Sequence, residues 1–188
     1  MSDLASPLPG AAVSGIAEVR ELGLRGMITI KGDLALPLVN STATGVSGVD
    51  FPDRGQANCV GERGLCWMAP DEIMVLTPYA EAAGDAAHIA HVLRDTHSLV
   101  ANVSDARCLF EVSGASAREV LSKLTPADMH PDRFRPGAFR RTRLAQVPAA
   151  VWMRDDQTIE VFAFRSAARY VFDLLANAAR PGTAVGYY

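Results

Sequence analysis

Five arginines between positions 133 and 143 form the most suggestive cluster of functional side chains in the sequence. They are Arg133, Arg135, Arg140, Arg141 and Arg143. A guanidinium group donates paired hydrogen bonds to carboxylates and phosphates and is weakly hydrated, which suits a protein interface. We therefore predict that this cluster contacts an acidic partner surface or binds an anion. The alternative is a solvated loop and strand edge, where arginines prevent aggregation between sheet edges.

Two histidines, His88 and His91, lie three positions apart on a predicted helix, with Asp85 and Asp95 nearby. Residues at this spacing are neighbours on a helix, so the imidazoles have the separation of metal ligands. His91, however, lies opposite the predicted apolar face of the same helix and is expected to face solvent. We therefore predict no metal site on this chain.

Three aspartates, Asp71, Asp155 and Asp156, are candidates for general acids. Their neighbours Pro70 and Gln157 are typical of turns, so the plainer interpretation is that the three aspartates are turn residues and not general acids. The sequence contains no G-x-S-x-G nucleophile motif and no glycine-rich phosphate-binding motif. We therefore predict no catalytic residue and no cofactor-binding residue on this chain.

The composition is that of a globular protein and excludes several functional classes. Hydrophobic residues make up 49% of the chain, and the formal net charge of −3 gives no basic excess for nucleic acid. The sequence has no apolar run of about 18 residues and no N-terminal secretory pattern. Cys59, Cys66 and Cys108 are odd in number and lack C-x-x-C spacing, which favours reduced thiols. We expect a cytoplasmic protein that binds neither nucleic acid nor membranes.

We predict a single domain over residues 15–180, between a flexible arm at 1–14 and a tail at 181–188. Apolar residues at helical spacing predict helices over 81–95, 115–124 and 167–179. The segment 34–55 contains two prolines and three glycines, which predicts a long loop. Alternating or continuous apolar runs predict strands over 26–31, 57–61, 65–68, 73–77, 99–103, 108–112, 139–147, 149–153 and 158–164.

Two pairs of similar segments indicate an internal repeat. Arg25–Asp33 (RGMITIKGD) resembles Arg107–Ala115 (RCLFEVSGA) at an offset of 82 positions. Trp67–Thr77 (WMAPDEIMVLT) resembles Trp152–Phe162 (WMRDDQTIEVF) at an offset of 85 positions. The same order and nearly equal offsets favour duplication, with repeats at about 15–98 and 99–180. The predicted fold is α+β, with duplicated ferredoxin-like (split βαβ) units and mostly antiparallel sheet, in which the first repeat has lost its first helix.

The second repeat also carries the residues of a recognisable family. Its motifs are V-S-D-A-R from Val103, S-G-x-x-A-R-E-V-L from Ser113, D-x-H-P…F-x-x-G from Asp128, and R-T-x-L-A from Arg141. Together with RGMITIKGD, WMAPDEIMVL and RSAARYVFDLL, this set resembles the gamma subunit of heterotetrameric sarcosine oxidase. The resemblance extends from about Arg25 to Ala179.

This resemblance implies a fold shared with the folate-binding domain of aminomethyltransferases. It implies a complex with alpha, beta and delta subunits that demethylates sarcosine to glycine, passes the one-carbon unit to tetrahydrofolate and releases hydrogen peroxide. FAD, FMN, NAD, tetrahydrofolate and zinc would be bound by the other subunits and none by this chain. The gamma subunit would then act through its surfaces.

The sequence also departs from catalytic proteins of the same fold. Aminomethyltransferases are about twice this long and carry an acidic G-G-x-x-D-D stretch, where this chain has Gln146–Val151 (QVPAAV) without an acid. The K-G-C-Y-x-G-Q motif of YgfZ-type proteins is also absent from the sequence. Both departures favour the non-catalytic interpretation. The alternatives are a stand-alone folate-binding or folate-dependent aminomethyltransferase-like protein, and an interaction domain unrelated to one-carbon metabolism.

Overall fold

The computed structural model describes residues 5–187, and the chain forms two units. We call residues 25–105 the five-stranded unit, and residues 5–24 together with 106–187 the six-stranded unit. The chain begins in the six-stranded unit with strands β1 (Ala12–Ser14) and β2 (Glu18–Glu21). The predicted arm at 1–14 therefore differs from the structure at residues 12–14, which pair with β2; Met1–Leu4 lie outside the described residues.

The five-stranded unit contains five strands and two helices in an uninterrupted stretch of chain. In chain order they are β3 (Gly26–Gly32), α1 (Pro37–Ser47), β4 (Ala57–Val60), β5 (Arg63–Ala69), β6 (Glu72–Thr77), α2 (Ala82–Val92) and β7 (Ser98–Asn102). The strands are antiparallel in the order β4-β5-β6-β3-β7.

The rest of the six-stranded unit repeats this sequence of elements. They are β8 (Arg107–Ser113), α3 (Ala117–Ser122), β9 (Phe139–Leu144), β10 (Val147–Asp155), β11 (Thr158–Phe164) and α4 (Ala168–Ala178). The sheet has the order β1-β2-β8-β11-β10-β9, again antiparallel. The α+β class and the antiparallel sheets are as predicted, whereas the ferredoxin-like duplication stays a prediction.

In each unit the helices cover one face of the sheet, and alternate strand residues fill the core between them. In the five-stranded unit Ile89 and Leu93 of the α2 region are buried against the sheet, which confirms the predicted apolar face. In the six-stranded unit Val120 and Leu121 of α3 are buried in the core, which confirms the predicted stripe of that helix. No helix among residues 5–187 has the length and apolar character needed to cross a bilayer.

Helix α1 lies where the sequence predicts a loop, so that prediction is wrong for residues 37–47. Pro37 stands in the first turn of the helix, where its fixed φ is suitable and its missing N–H costs nothing. Gly48 ends the helix in the left-handed conformation, with a φ of 68°. Proline and glycine are thus the boundaries of α1 instead of signs of a loop. The first helix of this unit is retained.

The boundaries of the units also differ from the predicted repeats at 15–98 and 99–180. Residues 15–24 belong to the six-stranded unit, because β2 pairs with β8, and residues 99–105 belong to the five-stranded unit, because β7 pairs with β3. Each end strand completes a sheet by pairing with a strand distant in sequence. Local sequence similarity carries no information about such pairings.

Trp67 and Trp152, which the predicted repeat aligns, do not occupy equivalent positions. A bulge follows Trp67 in β5 and Met153 in β10, and these two residues pair with Ile73 and Ile159 respectively. Trp67 packs against the core on the helix side of its sheet, as Met153 does, whereas Trp152 lies on the other face. The structural offset in the hairpin is thus one residue longer than the predicted 85, and a shift of one residue exchanges the faces of a strand.

Candidate functional site

The loop that carries Arg133 and Arg135 is fixed to the core of the six-stranded unit. Met129 and Phe134, on this loop, are fully buried. Arg118 of α3 is also buried and donates hydrogen bonds from Nη1 to the carbonyl oxygens of Met129, at 3.0 Å, and Phe134, at 2.6 Å. Because the buried guanidinium of Arg118 binds two carbonyl oxygens of the loop, the backbone that carries the exposed Arg133 and Arg135 has a defined conformation.

Arg118 was not among the predicted functional residues. It follows Ala117 on the apolar stripe of α3, and a charged residue directly beside such a stripe is a signal that the sequence does contain. A charged side chain that is buried needs hydrogen-bond partners, and only the folded loop reveals them. Arg118 therefore supports the loop from the core and is not part of the exposed surface.

Acidic residues surround the arginines of this loop. The Asp128 carboxylate accepts a hydrogen bond from the backbone N–H of His130 at 2.9 Å, and Asp132 lies 3.9 Å from the Arg135 guanidinium. An open groove of about 680 Å³ is bordered by these side chains, by Arg133 and by Tyr187 from the C-terminal tail. The groove therefore combines arginines and an aromatic ring, which are enriched at protein interfaces, with two aspartates, which are depleted there.

The other three predicted arginines lie on β9, at one edge of the six-stranded sheet. Arg141 and Arg143 project from one face of the strand and Arg140 from the other, because successive residues alternate. Arg140 donates a hydrogen bond from Nη1 to the carbonyl oxygen of Phe139 at 2.9 Å. All five predicted arginines are exposed, but they extend over a loop and both faces of an edge strand instead of a single patch. Their role at an interface stays a prediction.

A row of charged side chains on the same sheet was not predicted. Glu111 of β8 lies directly across from Glu160 of β11. Arg20 donates to Glu111 at 2.8 Å, and Arg154 donates to Glu160 at 2.7 Å. The hydrogen bond that Arg20 donates to the Glu111 carboxylate, followed by the negative charge of that carboxylate, raises the pKa of Arg20. Since each carboxylate accepts a hydrogen bond from a guanidinium, the row favours a structural role over proton transfer.

The predicted turn aspartates lie in hairpin turns. Asp71, between β5 and β6, pairs with Lys31 at 3.1 Å. Asp155, at the end of β10, accepts a hydrogen bond from the backbone N–H of Gln157 at 2.9 Å, and Asp156 is exposed beside it. These contacts are those of turn residues.

His88 and His91 are both exposed on α2. The nearby Asp85 accepts a hydrogen bond from Thr77 Oγ1 at 2.6 Å and pairs with Arg63 at 3.2 Å, so its carboxylate is already engaged. Among residues 5–187 no three His, Cys, Asp or Glu side chains come together as a metal site would require.

The buried thiol of Cys108 lies on the helix side of the six-stranded sheet, with its Sγ 3.6 Å from the carbonyl oxygen of Ala163. Burial, followed by the negative charge of Glu21, raises the pKa of Cys108 to about 12. A thiol is a nucleophile only as the thiolate, so Cys108 stays protonated and unreactive at neutral pH.

The predicted tail at 181–188 is attached to α3 as far as the structure describes it. Glu119 is buried and accepts hydrogen bonds from the backbone N–H groups of Val185, at 2.5 Å, and Gly186, at 3.1 Å. Lys123 donates to the carbonyl oxygen of Thr183 at 2.7 Å. The bond from Val185, with smaller contributions from Gly186 and Lys123, lowers the pKa of Glu119. The tail thereby places Tyr187, 74% exposed, at the groove of the arginine loop.

Comparison with known proteins identifies relatives over most of the chain. The model of a family described as "Sarcosine oxidase, gamma subunit family" matches residues 31–180. The sarcosine oxidase subunit gamma of Corynebacterium sp. (strain P-1) is 28% identical over 157 residues, which are 82% of this chain and 76% of that protein. The residues 31–180 that the family model matches include the arginine loop, β9 and α3.

Two solved structures share the fold. The chain is similar to a chain of the heterotetrameric sarcosine oxidase from Corynebacterium sp. U-96 in complex with pyrrole 2-carboxylate, with a TM-score of 0.80 and 22% identity over 89% of this chain and 87% of that one. It is also similar to the glycine cleavage system aminomethyltransferase T from Bartonella henselae, with a TM-score of 0.66 and 16% identity. That similarity covers 89% of this chain but 47% of the aminomethyltransferase.

Proposed function

The chain belongs to the sarcosine oxidase gamma subunit family, and from this premise we propose that it is the non-catalytic gamma subunit of a heterotetrameric sarcosine oxidase. The match of the family model to residues 31–180 is the observation that carries the proposal. The assembly oxidatively demethylates sarcosine to glycine, transfers the one-carbon unit to tetrahydrofolate and releases hydrogen peroxide. The chain contributes surfaces to this assembly and no reacting group.

The local chemistry supports a role without catalysis. Glu111 and Glu160 accept hydrogen bonds from arginines, and the buried thiol of Cys108 is held in its protonated form. A general acid or base needs access to a substrate and a pKa suited to proton transfer. The alpha, beta and delta subunits are the proposed partners, and FAD, FMN, NAD, tetrahydrofolate and zinc are assigned to them. We place the assembly in the cytoplasm.

The test is recovery of the assembly with an affinity-tagged chain produced together with its native neighbours. The expected result is co-purification of a flavoprotein with flavin absorbance, and hydrogen peroxide production that depends on sarcosine. Adding tetrahydrofolate is expected to replace formaldehyde with methylenetetrahydrofolate as the one-carbon product. A tagged chain that retrieves no flavoprotein would contradict the proposal.

The arginine loop and β9 are the proposed contact surface within this assembly. All five arginines are exposed, and the loop is held in place by the buried Arg118. We expect the double variant Arg140→Glu, Arg141→Glu to assemble more weakly while its own unfolding curve is unchanged. The matched control is Arg94→Glu, Arg169→Glu, which reverses two exposed arginines elsewhere. Equal assembly of both double variants would remove these two residues from the interface.

A folate-binding or folate-dependent aminomethyltransferase-like protein is the second candidate. The shared fold with aminomethyltransferase T supports it, while the coverage of 47% of that protein weighs against it. Titration of the purified chain with tetrahydrofolate, followed by tryptophan fluorescence, distinguishes the two functions. Saturable binding at micromolar concentration would favour this second candidate. No binding by the isolated chain is expected for the gamma subunit.

A further inference from the structure

Strand β7 forms an unprotected edge of the five-stranded sheet. Its sequence, SLVAN, contains no charged residue and no proline. Within the described residues its strand pairing is with β3 alone, from Ile28 opposite Asn102 to Gly32 opposite Ser98. The backbone groups on the outer side of β7 therefore form a template for another strand, and Leu99 beside them is 57% exposed.

The other sheet edges carry features that discourage pairing. Strand β9 has three arginines, whose charge opposes the approach of a further strand. Strand β4 has four residues and β1 has three, which are short templates. Among the edges that the structure describes, β7 is thus the one that combines length with an uncharged sequence.

The six-stranded unit shows what covers the equivalent strand. Strand β2 pairs with β8 as β7 pairs with β3, and β8 and β3 are equivalent because each is the strand before the first helix of its unit. The outer side of β2, however, is paired with β1. Among residues 5–187 no strand pairs with the outer side of β7.

The two strands can be compared residue by residue along one row of the sheets. The paired residues of the row are Val19, Val112 and Ile159 in the six-stranded unit, and Val100, Ile30 and Ile73 in the five-stranded unit. Val13 of β1 lies opposite Val19, which is fully buried. Val100 is only half-buried. Val100 thus has no residue paired opposite it on the outer side of β7 within the described strands, whereas Val19 has Val13.

The surface beside the start of β7 is open and has one more acid than base. An open groove of about 480 Å³ is lined by Leu99, His97, Asp33 and the ion pair between Lys31 and Asp71. The groove therefore disfavours an acidic segment, and its only lysine is already paired with Asp71. An uncharged, extended segment with an apolar side chain is the ligand that this edge and groove fit best.

We propose that an extended, uncharged segment of a partner protein pairs antiparallel with β7 and places a β-branched or apolar residue opposite Val100. The segment stands to β7 as Ala12–Ser14 stands to β2. The inference rests on the proposed function, because another subunit of the assembly supplies the segment. It adds a second contact surface, formed by backbone hydrogen bonds, to the one formed by the arginines.

The first test is amide hydrogen exchange of residues 98–102 in the isolated chain and in the assembly. We expect the amides on the outer side of β7 to exchange roughly tenfold or more slowly in the assembly. Assembly without any slowing at these amides would overturn the inference and leave the proposed function intact. Failure to recover any assembly would instead remove both.

The second test introduces a positive charge on β7 that opposes the pairing of another strand and leaves the core unchanged. Leu99→Lys places a lysine at an exposed position, as natural edge strands do, and is expected to weaken assembly at least tenfold. The control is Val60→Lys, because Val60 is 74% exposed on β4 at the other edge of the same sheet, and it should assemble normally. Normal assembly of Leu99→Lys would contradict the inference. The isolated chain could instead form a dimer in which the β7 amides exchange slowly and which Leu99→Lys converts to a monomer. That result would assign the edge to a second copy of this chain and would overturn the proposal of a partner segment.

Discussion

The five-stranded and six-stranded units have the same order of equivalent strands but are completed in different ways. The five-stranded unit receives its last strand, β7, from the chain that follows α2. The six-stranded unit receives the equivalent strand, β2, from the N-terminal segment, which also supplies β1. The same sheet can therefore be completed by a neighbouring or a distant segment, and the consequence is that one end strand is covered and the other is exposed.

The connections between the first helix and the first strand of each hairpin also differ. In the five-stranded unit the connection 48–56 is short, and Asn58 donates a hydrogen bond to the carbonyl oxygen of Asp50 at 2.9 Å at the surface. In the six-stranded unit the connection 123–138 is longer and contains buried anchors bound by Arg118. The unit with the longer connection, which Arg118 holds to the core, is also the unit that carries the arginines of the proposed interface.

The largest change in stability is expected when the buried Arg118 is replaced. Arg118→Met keeps much of the side-chain volume but leaves the carbonyl oxygens of Met129 and Phe134 without this donor. We expect a loss of about 3 kcal/mol in the free energy of unfolding, measured by urea denaturation. Asn58→Ala, which removes an exposed bond in the other unit, is expected to cost less than about 1 kcal/mol. Equal losses would show that the two loops are held equally.

The covering strand β1 provides the second test. Val13 packs against the core of the six-stranded unit opposite Val19, so Val13→Asp places a charge against apolar side chains. We expect a loss of about 2 kcal/mol, measured in the same way. Ala12→Asp, on the exposed side of the same strand, is the control and should be nearly neutral. A neutral Val13→Asp would mean that β1 contributes little to the unit.

Cysteine chemistry should differ between the units in rate and in pH dependence. At pH 8 we expect an alkylating reagent to modify the partly exposed Cys59 well before Cys108, whose pKa is raised to about 12. The folded state holds the proton of Cys108 more tightly than the unfolded state does. The stability that this proton contributes is therefore complete below the ordinary thiol pKa of 9.0 and is lost as the pH rises towards about 12. Mass spectrometry measures the first effect. Urea denaturation at several pH values measures the second, and Cys108→Ala should flatten the slope.

The smallest effect is expected at the C-terminal tail, which has no counterpart in the five-stranded unit. Glu119→Gln removes the charge that holds the backbone N–H groups of Val185 and Gly186. We expect faster hydrogen exchange at these two amides, with little change in global unfolding. Since the pKa of Glu119 is lowered, the contact is complete above the ordinary carboxyl pKa and is lost as the pH falls through the lowered value. Glu62→Gln, at an exposed ion pair, is the control, and unchanged exchange in Glu119→Gln would show that the tail is held by other contacts.

Most of the local elements and the family follow from the sequence alone. The apolar spacing of α2 and α3 placed their buried faces correctly, because a helical face is a property of neighbouring residues. The motifs around Val103, Ser113 and Asp128 identified the family that the match to residues 31–180 establishes. Helix α1 is the exception, because the proline and the glycine at its two ends predict a loop.

The way in which the sheets are completed, and the identity of the buried polar residues, depend on tertiary contacts. The pairing of β2 with β8 joins segments about 90 residues apart, and no local pattern specifies such a partner. The bulges that place Trp67 and Trp152 on different faces arise from strand register, which packing selects. Burial of Arg118 and Glu119 depends on a loop and a tail that fold over α3. These features depend on long-range contacts, whose energies exist only once distant segments have met.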